Sequence, residues 1–159
     1  MWIKNLESNE VFVFGSNLEG FHGAGAARYA FQGRTHPNWR DDPEFLQALH
    51  SPANSPLRIG RWAILGQGQG FMEGREGKSY AIATVQRPGW RRSISLEDIR
   101  GQVRNLWLFA QAHHEWTFLI TPLGEGYAGY RPEEMEAEVW GPVVKELGKM
   151  ENVVFTWES

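Results

Sequence analysis

Two glycine-rich loops, each placed directly after an apolar run, constrain the fold of this chain more than any other feature. The first apolar run is 11–14, and glycines recur through the segment that follows, 15–25. The second apolar run is 118–123, and glycines occupy three of the next six positions. Glycine costs conformational entropy, so glycines concentrated at strand ends indicate tight turns or backbone that approaches a ligand, often a phosphate. The two loops therefore predict one nucleotide-type ligand held between two strand ends.

The composition is that of a single globular domain spanning 1–159, with 42% hydrophobic and 22% charged residues. The net charge of -3 argues against nonspecific binding to the nucleic-acid backbone, although a local basic patch is compatible with it. The absence of cysteine excludes disulfides, thiolate nucleophiles and zinc–thiolate sites. Because the five histidines show no metal-ligand spacing, we expect neither a metal nor a cofactor.

The chain shows no signal for membrane insertion. No apolar run approaches the roughly 20 residues that span a bilayer, and the first five residues lack the apolar region of a signal peptide. We therefore expect a cytoplasmic protein with no membrane partner. The sequence leaves the oligomeric state open.

Apolar runs alternate with helical patterns along the chain. We predict helices at 23–31 and 95–113 and a further helix beginning at Pro132, and strands at 11–14, 61–65, 79–85, 116–121 and 152–157. This alternation predicts a three-layer α/β fold with a largely parallel central sheet. The segment at about 33–56 interrupts the pattern with four prolines, so we expect an irregular excursion holding at most a short helix at 44–50.

Both glycine loops lie where such sheets bind ligands, outside the carboxyl ends of the strands. Each loop leads into a predicted helix, and helix N-termini favour anions, so a diphosphate would suit the site. Neither loop is a P-loop, because the Lys-Ser/Thr ending is missing, and neither has the glycine spacing of a dinucleotide fingerprint. From spacing alone, phosphate binding and plain turns are equal alternatives.

Three segments resemble those of macro domains, the ADP-ribose-binding modules. Residues 14–18 followed by 23–27 resemble the strand–Asn–glycine–helix signature of that family. Residues 79–85 are similar to its middle strand, and 121–130 resemble its second phosphate loop. The segments occur in the family's order and cover about half of the chain. The resemblance implies a macro-like α/β/α domain, divergent from standard members, whose ligand is ADP-ribose or a related nucleotide.

The resemblance also implies individual roles. Asn17 corresponds to the asparagine that faces the distal ribose and takes part in hydrolysis. The expected ligand-binding residues of the first loop are Gly15, Ser16, Gly23, Ala24, Gly25 and Ala26. Those of the second loop are Gly124, Gly126, Tyr127, Ala128, Gly129 and Tyr130. Tyr130 is expected either near the distal ribose or as the hinge of this loop.

The chain departs from hydrolytic macro domains at the catalytic acid. Many of them carry an aspartate just after the first glycine run, where this chain has Ala26 and Ala27. Glu125 and His22 are the remaining candidates for acid–base chemistry. The plain alternatives are a solvent-exposed Glu125 and a surface His22.

A second candidate binding feature is the compact cluster of Arg87, Arg91 and Arg92 with Trp90. Such a cluster can bind a phosphate or stack on a base, and a solvated loop is the alternative. Three functions are therefore expected. The resemblance implies hydrolysis of an ADP-ribosyl linkage at the anomeric carbon or non-catalytic reading of ADP-ribose, and the arginine cluster indicates association with nucleic acid. The third depends on this cluster alone.

A third glycine turn, at 66–70, carries Gln67 and Gln69. These amides can hydrogen-bond a base or a ribose, but we expect them to be solvated turn residues.

Overall fold

The computed structural model describes residues 3–123 and 128–158. Within them, five strands form one sheet: β1 (Glu10–Asn17), β2 (Gly70–Glu73), β3 (Lys78–Val85), β4 (Thr117–Ile120) and β5 (Val153–Phe155). Their order across the sheet is β2-β3-β1-β4-β5, and every neighbouring pair is parallel except β2 and β3. The predicted α/β fold with a largely parallel sheet is confirmed.

The helices follow the predicted alternation. They are α1 (Gly25–Gln32), α2 (Pro43–Leu49), α3 (Leu96–Ala112), α4 (Pro132–Met135) and α5 (Gly141–Leu147). A π-helical turn, Glu136–Trp140, joins α4 to α5 and ends two residues before Pro142. Ser95 caps α3 by accepting a hydrogen bond from the Asp98 N–H at 3.1 Å.

Helices pack on both faces of the sheet because the side chains of β1 alternate between the faces. Val11 and Val13 join a core formed with α3 and the C-terminal helices. Phe12 and Phe14 join a second core, formed with α1 and the fully buried Trp62. Strand β1 therefore lies at the centre of the molecule.

The strand predicted at 61–65 does not form. The N–H groups of Arg61 and Trp62 donate instead to the carbonyls of Phe31 and Ala30, at 2.8 Å each. The last carbonyls of a helix lack partners within the helix, and this segment supplies donors to the end of α1. The strand on this side is β2, which begins at Gly70 and forms the antiparallel edge of the sheet.

The excursion at 33–56 is irregular, as predicted, and contains α2. Its anchor is a buried ion pair between Arg28 of α1 and Asp42, which are 0% and 3% exposed. Asp42 also caps α2 by accepting hydrogen bonds from the N–H groups of Glu44 and Phe45. Arg28 also donates to the carbonyls of Thr35 and Pro37, and Phe45 of α2 packs edge-on against Phe31 of α1. Polar and apolar contacts together therefore fix the excursion to α1.

Candidate functional site

A pocket of about 240 Å³ opens at the carboxyl ends of β1 and β3. Strand β3 lies on one side of β1 and β4 on the other, so the strand order reverses direction at β1. Ligands of open α/β sheets bind at the carboxyl ends of the strands where such a reversal occurs. The pocket is lined by residues of the β1 end, the β1–α1 loop, the excursion, the β3–α3 segment and the ends of the second loop: Gly15, Ser16, Asn17, Phe21, Gly23, Ala24, Gly25, Ala26, Ala27, Trp39, Thr84, Val85, Pro88, Gly89, Pro122 and Ala128.

The first turn of α1 forms one wall of this pocket. Gly25 has a φ of 57°, a left-handed conformation that favours glycine, and it starts the helix inside the loop. The N-cap residue, Ala24, makes no side-chain hydrogen bond, and the first turn contains no acidic side chain. The N-terminal end of α1 therefore meets the pocket with neither a side-chain cap nor a carboxylate to compete with an anion.

Asn17 stabilises the shape of the first loop. Its Nδ2 donates to the carbonyl of Phe21 at 2.9 Å, and its Oδ1 accepts from the Phe21 N–H at 3.0 Å. An amide can make two further hydrogen bonds beyond these. The catalytic role expected for Asn17 stays a prediction, and the structure adds a positioning role within the loop.

The third glycine turn packs against the backbone of the first loop. A Cβ at Gly68 would lie 1.9 Å from the Asn17 carbonyl oxygen, so only glycine allows this approach. The Gly66 N–H donates to the Gly20 carbonyl at 2.9 Å. Gln67 and Gln69 are exposed, in agreement with their interpretation as solvated turn residues.

His22 does not reach the pocket. It is fully buried, with its ring edge-on to Phe14, and its Nε2 lies 3.0 Å from the carbonyl oxygens of both Ile64 and Gln67. Burial lowers the pKa of His22 to about 4, against the opposing effect of those two carbonyls. His22 is thus a neutral donor that joins two loops, and the geometry gives no support to the acid–base role predicted for it.

The second loop is described only in part. Gly124, Glu125, Gly126 and Tyr127 lie outside the described residues, so the roles expected for them stay predictions. Ala128 lines the pocket, and Gly129 follows it with a φ of 84°.

Tyr130 does not line the pocket, because its side chain is buried in the core beside α3. Its hydroxyl donates to the carbonyl of Ile94, and the Arg92 guanidinium lies 4.8 Å from its ring centre. Tyr130 therefore fixes the segment between β3 and α3, and the ribose contact or hinge role expected for it stays a prediction.

Eight residues that line the pocket are absent from the predicted set, and the polar or aromatic ones among them are Thr84, Phe21 and Trp39. Thr84 lies at a bulge-like irregularity in the β1–β3 pairing: Ser16 pairs with Ala83 and Asn17 pairs with Val85, so Thr84 has no pairing partner in β1. The rule that ligands sit at carboxyl ends of strands applies to Thr84 as much as to the two loops. Trp39 carries no such signal, because it reaches the pocket only through the folding of the excursion.

Uncharged residues make up the described wall of the pocket. None of the lining residues within 3–123 and 128–158 has an ionisable side chain. Among the same residues, no group of three or more His, Asp or Glu side chains could hold a metal ion. No helix in the described part of the chain is both long enough and apolar enough to cross a membrane.

The chain was also compared with known proteins. No protein-family model, curated protein sequence or solved structure matches it.

Proposed function

We propose that the pocket binds the diphosphate and the adjoining ribose of ADP-ribose or a related nucleotide, in a macro-like arrangement. The observation that carries this proposal is the N-terminus of α1, which lines the pocket without a side-chain cap or an acidic first turn. Helix N-termini bind anions through main-chain N–H groups and the helix dipole. A diphosphate can therefore be held at a described wall that has no arginine or lysine.

Two hydroxyl groups suit the ribose. Thr84 and Ser16 both line the pocket and are almost fully buried. Among the described residues, the hydrogen bond that the Thr84 hydroxyl donates is a long one, 3.4 Å, to the Ser16 carbonyl oxygen. A ribose hydroxyl offers a shorter hydrogen bond, so ligand binding would replace a weak contact with a stronger one.

A neighbouring cavity offers a place for the base. It has a volume of about 280 Å³, shares Ala26 and Pro122 with the pocket, and reaches Trp157. The side chain of Trp157 is 45% exposed and can stack against a planar base. A nucleotide lying across α1 would thus place its diphosphate at the helix end and its base beside Trp157.

The described geometry favours binding without turnover. Hydrolysis needs an acid or base close to the anomeric carbon, and His22 is buried away from the pocket. Glu125, outside the described residues, is the remaining candidate from the sequence. Incubation with an ADP-ribosylated protein should release no ADP-ribose. Release that is lost in Glu125→Gln would establish the hydrolase alternative.

Calorimetric titration with ADP-ribose tests the binding proposal. Ala24 has an extended backbone at the N-cap, where aspartate is a favourable capping residue. We expect Ala24→Asp to raise the free energy of unfolding by about 1 kcal/mol. The same carboxylate would occupy the helix N–H groups and repel a diphosphate, so ADP-ribose binding should disappear.

Ala24→Asn is the matched control, because it caps the helix with no charge. It should weaken ADP-ribose binding less than Ala24→Asp does. Either of two results would overturn the proposal: no heat of ADP-ribose binding in the folded wild type, or unchanged binding in Ala24→Asp.

A further inference from the structure

The segment that joins β3 to α3 extends from the wall of the pocket to the outer surface. Pro88 and Gly89 line the pocket, and the next residue, Trp90, is 50% exposed. The Arg87 guanidinium lies 5.0 Å from the centre of a Trp90 ring. An aromatic face and a cation therefore stand together at the rim of the pocket.

This segment is held in place by Arg92. The Arg92 N–H donates to the Ala128 carbonyl at 2.8 Å, and its guanidinium pairs with Glu134 at 2.7 Å. Arg92 adopts a φ of 52°, which is uncommon for a residue other than glycine. These contacts tie the segment to the end of the second loop and to α4, so the rim has a defined position next to the pocket.

Arg91 extends the rim toward the second loop. A Cβ at Gly129 would lie 2.9–3.1 Å from three atoms of the Arg91 guanidinium, so this cation rests on the backbone of that loop. On the other side, Arg87 makes a 3.8 Å contact with Glu19, and both side chains are more than half exposed. Such an exposed ion pair is weak, and a phosphate can replace the carboxylate.

We propose that this arginine–tryptophan rim, formed by Arg87, Trp90 and Arg91, binds single-stranded nucleic acid. We also propose that the ADP-ribose bound in the pocket is attached to this strand, a point that rests on the proposed function. Trp90 offers a face on which an unpaired base can stack. The Arg87 guanidinium beside it and the Arg91 guanidinium next to Gly129 suit the phosphates of the same strand. An acidic peptide would satisfy the arginines but would leave the Trp90 face unused.

Fluorescence anisotropy with a labelled oligothymidine of about 12 nucleotides tests the rim. We expect binding that weakens as salt is raised from about 50 to 200 mM, because phosphate contacts release counterions. Trp90→Ala should weaken binding about tenfold, through the lost stacking. Arg87→Gln/Arg91→Gln should weaken it and also flatten its salt dependence.

Arg75→Gln/Lys149→Gln is the charge-matched control, because both residues are exposed and lie outside the rim. This variant should bind the oligothymidine like the wild type. Equal weakening by the two double variants would overturn the proposal, since it would show a response to net charge alone. Displacement of the oligothymidine by polyglutamate would overturn it in favour of an acidic protein partner.

The pocket and the rim can be tested separately. Trp90→Ala should keep its affinity for ADP-ribose, and Ala24→Asp should keep its affinity for the oligothymidine. An oligothymidine bearing ADP-ribose on its terminal phosphate should bind the wild type more tightly than the plain strand, and Ala24→Asp should abolish this gain. Absence of the gain in a wild type that binds free ADP-ribose would show that the strand is not the carrier.

Discussion

At the scale of single residues, His22 makes stability depend on pH. Burial lowers the pKa of His22 from 6.5 to about 4 in the folded protein. Between these values the unfolded chain binds a proton that the folded protein does not, so the free energy of unfolding decreases as the pH falls. The contribution of His22 is fully present above pH 6.5, and about 3 kcal/mol of it is lost by pH 4. Urea unfolding across this range measures the decrease.

The variant His22→Gln separates this titration from that of other groups. Glutamine keeps an N–H donor for the carbonyls of Ile64 and Gln67 but takes up no proton. We expect a flatter pH profile between pH 6.5 and 4, with a lower free energy of unfolding at pH 7 because the ring packing on Phe14 is lost. His114→Gln, at an exposed histidine, should keep the wild-type profile. A wild-type slope in His22→Gln would contradict the assignment.

At the scale of elements, the buried ion pair between Arg28 and Asp42 contributes to fixing the excursion, which brings Trp39 to the pocket. Burial by itself raises the pKa of Asp42, but hydrogen bonds, first among them that from Arg34, outweigh it and lower the pKa to about 2. Asp42→Asn keeps an N-cap for α2 but leaves the buried Arg28 without a countercharge. We expect a loss of about 3 kcal/mol in the free energy of unfolding, measured by urea denaturation.

Glu44→Gln is the control within the same network. Glu44 is 65% exposed and pairs only with the partly exposed Arg34 among the described ion pairs, so its neutralisation should cost less than about 1 kcal/mol. Hydrogen exchange in α2 should accelerate in Asp42→Asn and stay unchanged in Glu44→Gln. Similar small losses in both variants would show that the buried pair does not hold the excursion.

The same elements show what the sequence could predict. Helix α3 was predictable because Ile99, Val103 and Leu106 repeat at helical spacing, and these residues are buried as expected. Strand β2 was missed because it begins at a glycine of a glycine-rich turn. Residues 61–65 resembled a strand, but their apolar side chains fill a core while their N–H groups cap α1. Trp39 was missed because its ring packs against Phe21 and Phe45, and these contacts form only when the excursion folds.

At the scale of the whole molecule, β1 joins the two cores to the pocket. Val11 and Val13 pack against the helices on one face, Phe12 and Phe14 pack against α1 on the other, and the same strand ends in the pocket wall. A strand shared in this way makes separate unfolding of either face unfavourable, because loss of one core removes support from β1. We therefore expect a single cooperative unfolding transition.

Leu106→Ala tests this coupling from the side of α3. Leu106 is fully buried, so its truncation should lower the free energy of unfolding by about 3 kcal/mol. Leu108 on the same helix is 40% exposed, and Leu108→Ala should cost about 0.5 kcal/mol or less. If the two cores unfold together, the free energy of opening measured by hydrogen exchange in Leu106→Ala should fall by the same about 3 kcal/mol in β1 and in α1, on the opposite face. Wild-type protection of α1 in that variant would mean that the two faces open independently.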